Sequence, residues 1–148
     1  MPELNFQALP DLHLPLLNKF YRSHDTAMRS SREGVSWVAK EAQIVAALNL
    51  RPMAQGHWLT GLFVDPAYRG RQIASGLVAQ AIAPLDGPVW LFCHPDLQGF
   101  YEKLGFCSQC ALPQALAERL ARYRRNKALV ALQATPACRA AGPGTSRQ

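Results

Sequence analysis

The chain has 148 residues, of which 49% are hydrophobic and 18% are charged. These values are typical of one globular domain, and they exclude a disordered chain or a fibrous repeat. No apolar run approaches the roughly 20 residues of a membrane span, and no basic segment followed by an apolar core opens the sequence. We therefore expect a cytoplasmic protein without a membrane partner.

Positive charge is concentrated towards the C-terminal end. Residues 1–112 carry nine Lys or Arg and nine Asp or Glu, so the formal net charge of +6 comes from residues 113–148. Four arginines lie close together there: Arg119, Arg122, Arg124 and Arg125. Such a cluster can attract an acidic substrate, nucleic acid or an anionic surface, but a run of charges is usually a solvated helix face. Four arginines on one helix are thin support for nucleic-acid binding, so we do not expect it.

The N-terminal segment predicts a strand followed by a helix. Leu4–Leu9 alternates loosely and predicts a strand that ends before a proline. Asp11 is a candidate N-cap, and Pro15 fits only within the first turn of the helix that follows. The apolar positions of this helix are Leu12, Leu16, Leu17 and Phe20. The polar segment Tyr21–Gly34 indicates a short helix or a mobile loop.

Three strands are predicted next. Val35–Lys40 and Gln43–Leu50 are β-prone runs separated by two residues, which predicts an antiparallel hairpin. Arg51–Gly56 contains proline and glycine and is interpreted as a connection. Trp58–Val64 is then the third strand of a meander.

The second half alternates helices with strands. Ile73–Ile82 has apolar residues on one helical face, and Val89–Cys93 is a short apolar run that fits a buried strand. A helix between two strands predicts a right-handed crossover and a parallel strand pair. Beyond it the pattern predicts a helix over Pro95–Lys103, a strand from Phe106, a helix over Pro113–Arg124 and a strand over Ala128–Gln133.

A short basic loop joins the third strand to the next helix. It contains Arg69, Gly70 and Arg71. A helix that starts in such a loop leaves its first backbone N–H groups without intrahelical partners, and the positive end of its dipole favours anions. We expect a phosphate or pyrophosphate to bind here. The alternative is an ordinary turn whose arginines point into water.

Two motifs, Val64–Ala74 and Gly99–Phe106, together with the order of the elements, resemble the GNAT superfamily of acyl-CoA-dependent N-acyltransferases. The resemblance implies an α/β (α+β) fold with a central mixed, mostly antiparallel sheet of about six to seven strands, one parallel pair and flanking helices. It implies a GNAT acetyltransferase domain over residues 1–133. Residues 134–148 are then expected to form a flexible tail.

The resemblance also implies acetyl-CoA as cosubstrate and no metal. The family's loop reads Arg/Gln-x-x-Gly-x-Gly/Ala, and the match here is Arg69-x-x-Gln72-x-Ala74, so the central glycine is missing. Gln72 can still donate its N–H if its φ is helical, although its Cβ takes space that a phosphate oxygen would use. By resemblance, cofactor contacts come from Phe63, Val64, Arg69, Gly70, Arg71, Gln72, Ile73, Ala74 and Ser75, with the pantetheine arm pairing with Phe63 and Val64.

Tyr101 is the predicted catalytic residue. In the resembled family a tyrosine at this place often protonates the departing CoA thiolate. A phenol with a pKa of about 10 is protonated at neutral pH and can donate a proton. The alternative is a core aromatic. His94 replaces an asparagine that is common in the family, and a helix cap is its simplest role.

No general base is assigned from the sequence. Candidates for accepting the proton of the acceptor amine are His57, Glu41 and His24, and each of them is also compatible with a purely structural role.

The sequence thus predicts an N-acetyltransferase that acts on a small amine, an amino acid, an antibiotic or a protein amine. The alternative is a non-catalytic acyl-CoA sensor that uses its basic helix to bind an acidic partner. The same helix also makes a homodimer possible. The pair Cys107-x-x-Cys110 lacks the second ligand pair of a zinc site and the helix-opening position of a redox motif, so neither is expected.

Overall fold

The computed structural model describes residues 4–26, 28, 33–53, 56–108 and 111–135. Its strands are β1 (Asn5–Leu9), β2 (Val35–Lys40), β3 (Ile44–Met53), β4 (Gly56–Val64), β5 (Val89–Cys93) and β6 (Val130–Ala134). Its α-helices are α1 (Leu14–Ser23), α2 (Ile73–Ile82), α3 (Gln98–Glu102) and α4 (Gln114–Tyr123). Short 3-10 turns over Asp11–His13, Pro66–Tyr68 and Pro95–Leu97 lie in the connections.

The six strands form one mixed sheet in the order β1-β2-β3-β4-β5-β6. Strand β1 pairs antiparallel with β2, β2 with β3, and β5 with β6. Strands β4 and β5 are parallel, with His57 opposite Val89 and Trp58 opposite Trp90. The predicted mixed, mostly antiparallel sheet with one parallel pair and flanking helices is confirmed, and the described residues contribute six strands to it.

The chain divides into two compact units, residues 1–52 with 59–84 and residues 53–58 with 85–148. Within the first unit, α1 packs against β2 and β3 through a cluster of buried apolar residues: Leu9, Leu14, Leu17, Phe20, Tyr21, Val38 and Ala47. Helix α2 lies against β1 and β2. Gly76 permits this approach, because a Cβ there would lie 2.8 Å from the ring of Phe6.

The predicted start of the first helix is wrong. Asp11 belongs to a 3-10 turn, and α1 begins at Leu14 with Pro15 in its first turn, where a missing N–H leaves no hydrogen bond unmade. The buried positions of α1 are Leu14, Leu17, Phe20 and Tyr21, whereas Leu12 is 84% exposed and Leu16 is 52% exposed. The polar segment that follows continues α1 to Ser23, and its residues 27 and 29–32 lie outside the described ones.

Two further boundaries differ from the prediction. Strand β3 extends to Met53 and β4 begins at Gly56, so most of the predicted connection is strand. Pro52 is tolerated because the last β3 residue that pairs with β2 is Leu50, and no ladder bond to β2 is lost. Within residues 106–108, which the structure describes before a gap at 109–110, the predicted strand is a single bridge between Cys107 and Gln133. The Phe106 N–H donates to the Tyr101 carbonyl and takes no part in the sheet.

Helix α4 belongs to the second unit and confirms the predicted helix. Leu116 and Leu120 are buried, and Leu116 shares a core with Trp58 and Trp90. Arg119 lies over the Trp58 ring at 4.5 Å from its centroid.

None of the helices that the structure describes has the length and apolar character needed to cross a membrane. Residues 136–148 of the predicted tail lie outside the described residues.

A buried polar network in the first unit holds β4 at Gly61. The Tyr21 hydroxyl donates to the Gly61 carbonyl at 2.8 Å, and the buried Ser36 hydroxyl donates to the Asn49 side chain. Gly61 has a φ of +69°, and a Cβ there would meet the Asn49 amide nitrogen at 2.8 Å. Both the backbone conformation and the space therefore require glycine.

Gly61→Ala should lower the free energy of unfolding by about 2 kcal/mol, because it combines a left-handed backbone with a clash against a buried amide. Urea unfolding measures the change. Gly99→Ala is the matched control, because nothing lies within 4 Å of its Cβ position, and it should leave stability unchanged or raise it slightly. Equal stabilities of the two variants would contradict this account of Gly61.

Candidate active site

The turn after β4 is fixed at both of its ends. The Asp65 N–H donates to the Val45 carbonyl at 2.8 Å, and the Asp65 carboxylate accepts from the Ala67 N–H at 2.9 Å, which caps the turn. The Tyr68 hydroxyl donates to the Glu41 carboxylate at 3.1 Å. This hydrogen bond to an anion raises the Tyr68 pKa and ties the loop to the β2–β3 hairpin. The loop therefore starts from a defined position.

The two loop arginines lie over aromatic rings of their own segment. Arg69 Nε donates to the Val64 carbonyl at 3.2 Å, and its guanidinium lies 5.4 Å from the Phe63 ring centroid. The Arg71 guanidinium lies 5.0 Å from the Tyr68 ring centroid. Both side chains are exposed. They contribute positive charge next to the loop, and their side chains also hold its shape.

Gln72 has a left-handed backbone, with φ 60° and ψ 25°. The helical φ that the sequence analysis required for donation by the Gln72 N–H is therefore absent. Left-handed φ values are unstrained for glycine and cost a residue with a Cβ about 1 kcal/mol, which explains why the resembled motif has glycine at this position. The chain makes the same turn here with a glutamine.

Helix α2 begins directly after Gln72 without a side-chain cap from that residue. The Gly76 N–H donates to the Gln72 carbonyl at 3.1 Å and makes the first intrahelical bond. The N–H groups of Ile73, Ala74 and Ser75 precede that bond, so no earlier turn of helix can accept from them. The first turn of α2 is consequently a set of outward backbone donors at the positive end of a helix dipole.

Tyr101 lies in the second unit and is 7% exposed. The rings of Phe100 and Phe106 pack edge-on against it, with centroids at 5.0 and 5.9 Å. Burial, and secondarily the nearby Cys93 thiol, raises the pKa of Tyr101 to about 12. The phenol is therefore neutral at physiological pH and can only donate its proton.

His94 and the candidate general bases His57 and Glu41 have different surroundings. His94 Nδ1 accepts from the Asp96 N–H at 3.1 Å, so His94 caps the turn before α3, as its simplest role predicted. His57 pairs within the sheet, and its buried Nδ1 has no hydrogen-bond partner among the described residues. Glu41 is engaged by Tyr68.

His24 is packed between aromatic rings at the end of α1. Its ring centroid lies 5.1 Å from that of Phe20 and 5.5 Å from that of Phe63. His24 Nε2 lies 3.6 Å from the Asp65 carboxylate, and both side chains are 23% exposed. This distance is too long for a hydrogen bond, so the two side chains lie close together without one.

Comparison with known proteins decides the family. The family model of the acetyltransferase (GNAT) domain matches residues 32–108, which is more than half of the chain. The chain belongs to the GNAT acetyltransferase family. No curated protein matches the chain.

Several solved structures share the fold. N-acetylglutamate synthase from Neisseria gonorrhoeae, complexed with coenzyme A and N-acetyl-glutamate, is 13% identical with a TM-score of 0.63, and the match covers 90% of this chain but only 35% of that one. Escherichia coli ElaA is 14% identical with a TM-score of 0.65, covering 90% and 99% of the two chains. An acyl-CoA N-acyltransferase from Pseudomonas aeruginosa is 16% identical with a TM-score of 0.63, covering 90% and 100%. These identities support a common fold alone.

The sequence did not predict the buried polar contacts of this GNAT domain. The hydrogen bond from Tyr21 to Gly61 joins residues 40 positions apart. Asn49 could have indicated such contacts, because it is a polar residue inside the apolar run of β3 and needs a hydrogen-bond partner when buried. Among the described residues no three His, Cys, Asp or Glu side chains are placed to hold a metal ion, and Cys110 lies outside them.

Gln72→Gly should raise the free energy of unfolding by about 1 kcal/mol, because glycine adopts the left-handed conformation without steric strain. Gln72→Val should lower it, because a β-branched side chain is a poor fit to that region. Urea unfolding of both variants is the measurement. A Gly variant that is no more stable than the Val variant would be inconsistent with the left-handed backbone.

Proposed function

We propose that this GNAT protein is an N-acetyltransferase that moves the acetyl group of acetyl-CoA to a primary amine by direct attack. The observation that carries the proposal is the first turn of α2, which offers backbone donors after a basic loop in a chain of this family. The CoA pyrophosphate would accept hydrogen bonds from this turn, as anions do at helix N-termini. The contacting groups would be those of Arg71, Gln72, Ile73, Ala74 and Ser75, next to Arg69 and Gly70.

The pantetheine arm would lie along the end of β4 and pair with the backbone of Phe63 and Val64. Arg69 already donates to the Val64 carbonyl. A carbonyl oxygen has two lone pairs, so it can accept a second hydrogen bond from a pantetheine amide. The Tyr21 contact at Gly61 would hold this part of the strand in place.

Tyr101 would protonate the CoA thiolate as it leaves. The step needs a proton donor that is fully protonated before reaction, and the buried phenol with a pKa of about 12 meets that condition. The acetyl C–S bond breaks as the amine forms the C–N bond, and the sulfur takes the phenolic proton. A homodimer and the role of the basic helix α4 stay predictions.

Calorimetric titration with acetyl-CoA and with CoA tests the cofactor. Saturable binding followed by thiol release with an amine panel supports an enzyme. Binding without turnover of any amine would favour the alternative of a sensor module. Absence of binding would refute both.

Ala74→Glu should abolish acetyl-CoA binding, because it places a carboxylate against the pyrophosphate in the first turn of α2. A glutamate at a helix N-terminus stabilises the helix by itself, so the loss would not reflect unfolding. Ala79→Glu, at an exposed position later in the same helix, is the control and should bind normally. Undiminished affinity in Ala74→Glu would place the cofactor elsewhere.

Tyr101→Phe should lower kcat by about a hundredfold while leaving the Kd for acetyl-CoA unchanged, because only proton donation is removed. In the parent protein Tyr101 should stay protonated as the pH rises past about 10, the ordinary phenol pKa, so kcat should not fall there through loss of this proton. It should fall only as the pH approaches about 12. Stopped-flow measurement of thiol release gives kcat against pH for the parent and the variant, and Tyr123→Phe is the control. An unaltered kcat in Tyr101→Phe would remove it from the acid role.

A further inference from the structure

A cavity of about 360 Å³ lies in the first unit between α1 and the β2–β3 hairpin. Its size is at the lower end of the range for small-molecule sites. Apolar side chains form part of its wall: Leu9, Leu16, Phe20 and Ile44. Polar and charged side chains form the rest: His13, Lys19, Ser23, His24, Lys40, Gln43 and Asp65. A guest that fits this wall has an apolar body with polar groups at its ends.

The charges of the cavity are unbalanced. Lys19 and Lys40 contribute two ammonium groups, and Asp65 contributes the one lining carboxylate. In the part of the chain that the structure describes, neither lysine ammonium group has an ion-pair or hydrogen-bond partner. The Asp65 carboxylate is already approached by His24 and by the Ala67 N–H. The two lysines are therefore available to an anionic group of a guest.

The His24–Asp65 pair also belongs to the wall of this cavity. His24 contacts the Phe63 ring, and Phe63 is a residue whose backbone is proposed to hold the pantetheine arm. Asp65 follows Val64 directly in the chain. An amine group near this pair would thus lie beside the strand that carries the acyl donor, with a proton acceptor at hand.

We propose that this cavity is the acceptor site and that the acceptor is a primary amine with an apolar body and a terminal carboxylate. The inference rests on the proposed function. Lys19 and Lys40 bind the carboxylate, the apolar wall holds the body, and the amine lies at His24.

The proton transfers of this reaction balance. The acceptor ammonium gives one proton to His24, and the nitrogen forms the C–N bond as the C–S bond breaks. Under the proposed function the thiolate takes the proton of Tyr101. The nitrogen then gives up a second proton, which replaces the one that the sulfur took. The products are the amide, the CoA thiol and one proton that His24 releases to solvent.

The first measurement compares ε-aminocaproate with ε-aminocaproamide, two amines that differ only in the acidic group. Calorimetry on the full chain saturated with CoA should show the acid binding at least about tenfold tighter than the amide, because the amide has no negative charge to pair with the two ammonium groups. The double variant Lys19→Gln with Lys40→Gln should remove this preference. Arg22→Gln removes a charge from the same helix outside the cavity and should keep it.

Three results would overturn the inference. They are equal binding of the acid and the amide, an unchanged preference in the double lysine variant, and a double variant that loses affinity for acetyl-CoA in place of the amine. Turnover of uncharged amines without any preference for the acid leaves the proposed function standing and refutes the acceptor class. Acid-selective binding without turnover retains the site and refutes the proposed function.

The role of His24 has a separate readout. His24→Gln should lower kcat for ε-aminocaproate by at least about tenfold while its binding changes little, because glutamine fills a similar space and cannot take the proton. Unchanged kcat would remove His24 from the proton transfer.

Discussion

The left-handed backbone at Gln72 is the constraint on which the candidate cofactor site depends. It reverses the chain direction between the basic loop and α2, so that the first turn of the helix opens without a cap from the preceding side chain. A right-handed residue at this position would extend the helix backwards, and the N–H groups of that turn would gain intrahelical acceptors. The proposed anion site therefore depends on a strained residue, and Gln72 provides the conformation without the glycine that would relieve it.

The strain at Gln72 is supported by rigid surroundings on both sides. Gly76 lets α2 lie against Phe6, so the helix has a fixed position on β1. Asp65 caps the preceding turn, and Tyr68 joins the loop to Glu41. A residue held in a sparsely populated conformation persists only where neighbouring contacts determine it. The same logic applies to Gly61, where a buried network holds the strand that would carry the pantetheine arm.

Elements whose periodicity was clear could be predicted from the sequence, and elements that depended on tertiary contacts could not. The sequence predicted strands β2 and β5 from their apolar runs and helix α4 from its apolar face, because burial sets a regular pattern of apolar residues. The phase of α1 was missed, because Pro15 decides where that helix begins and a pattern of leucines does not reveal it. The pairing of His24 with Asp65 joins distant segments, so no local motif could show it.

The site residues divide in the same way. The motif around Arg69 located the loop, yet the orientation of that arginine towards the Val64 carbonyl comes from packing on Phe63. The position of Tyr101 followed from a second motif, whereas its raised pKa follows from burial among aromatic rings. A motif thus indicates which residues are brought together, and the solvent exclusion around them determines their chemistry.

Charge counted along the sequence pointed to the C-terminal arginines, but the structure gives two of them structural partners. Arg119 lies on Trp58, and Arg124 donates to the Leu129 carbonyl at 3.0 Å. The first 112 residues sum to zero charge, yet they contain the cavity whose lining includes two lysines and one carboxylate. A ligand responds to the charges that it contacts over a few ångströms, and more distant charges are screened by salt. Local imbalance in a neutral segment is therefore the better guide to a binding site than net charge in a basic one.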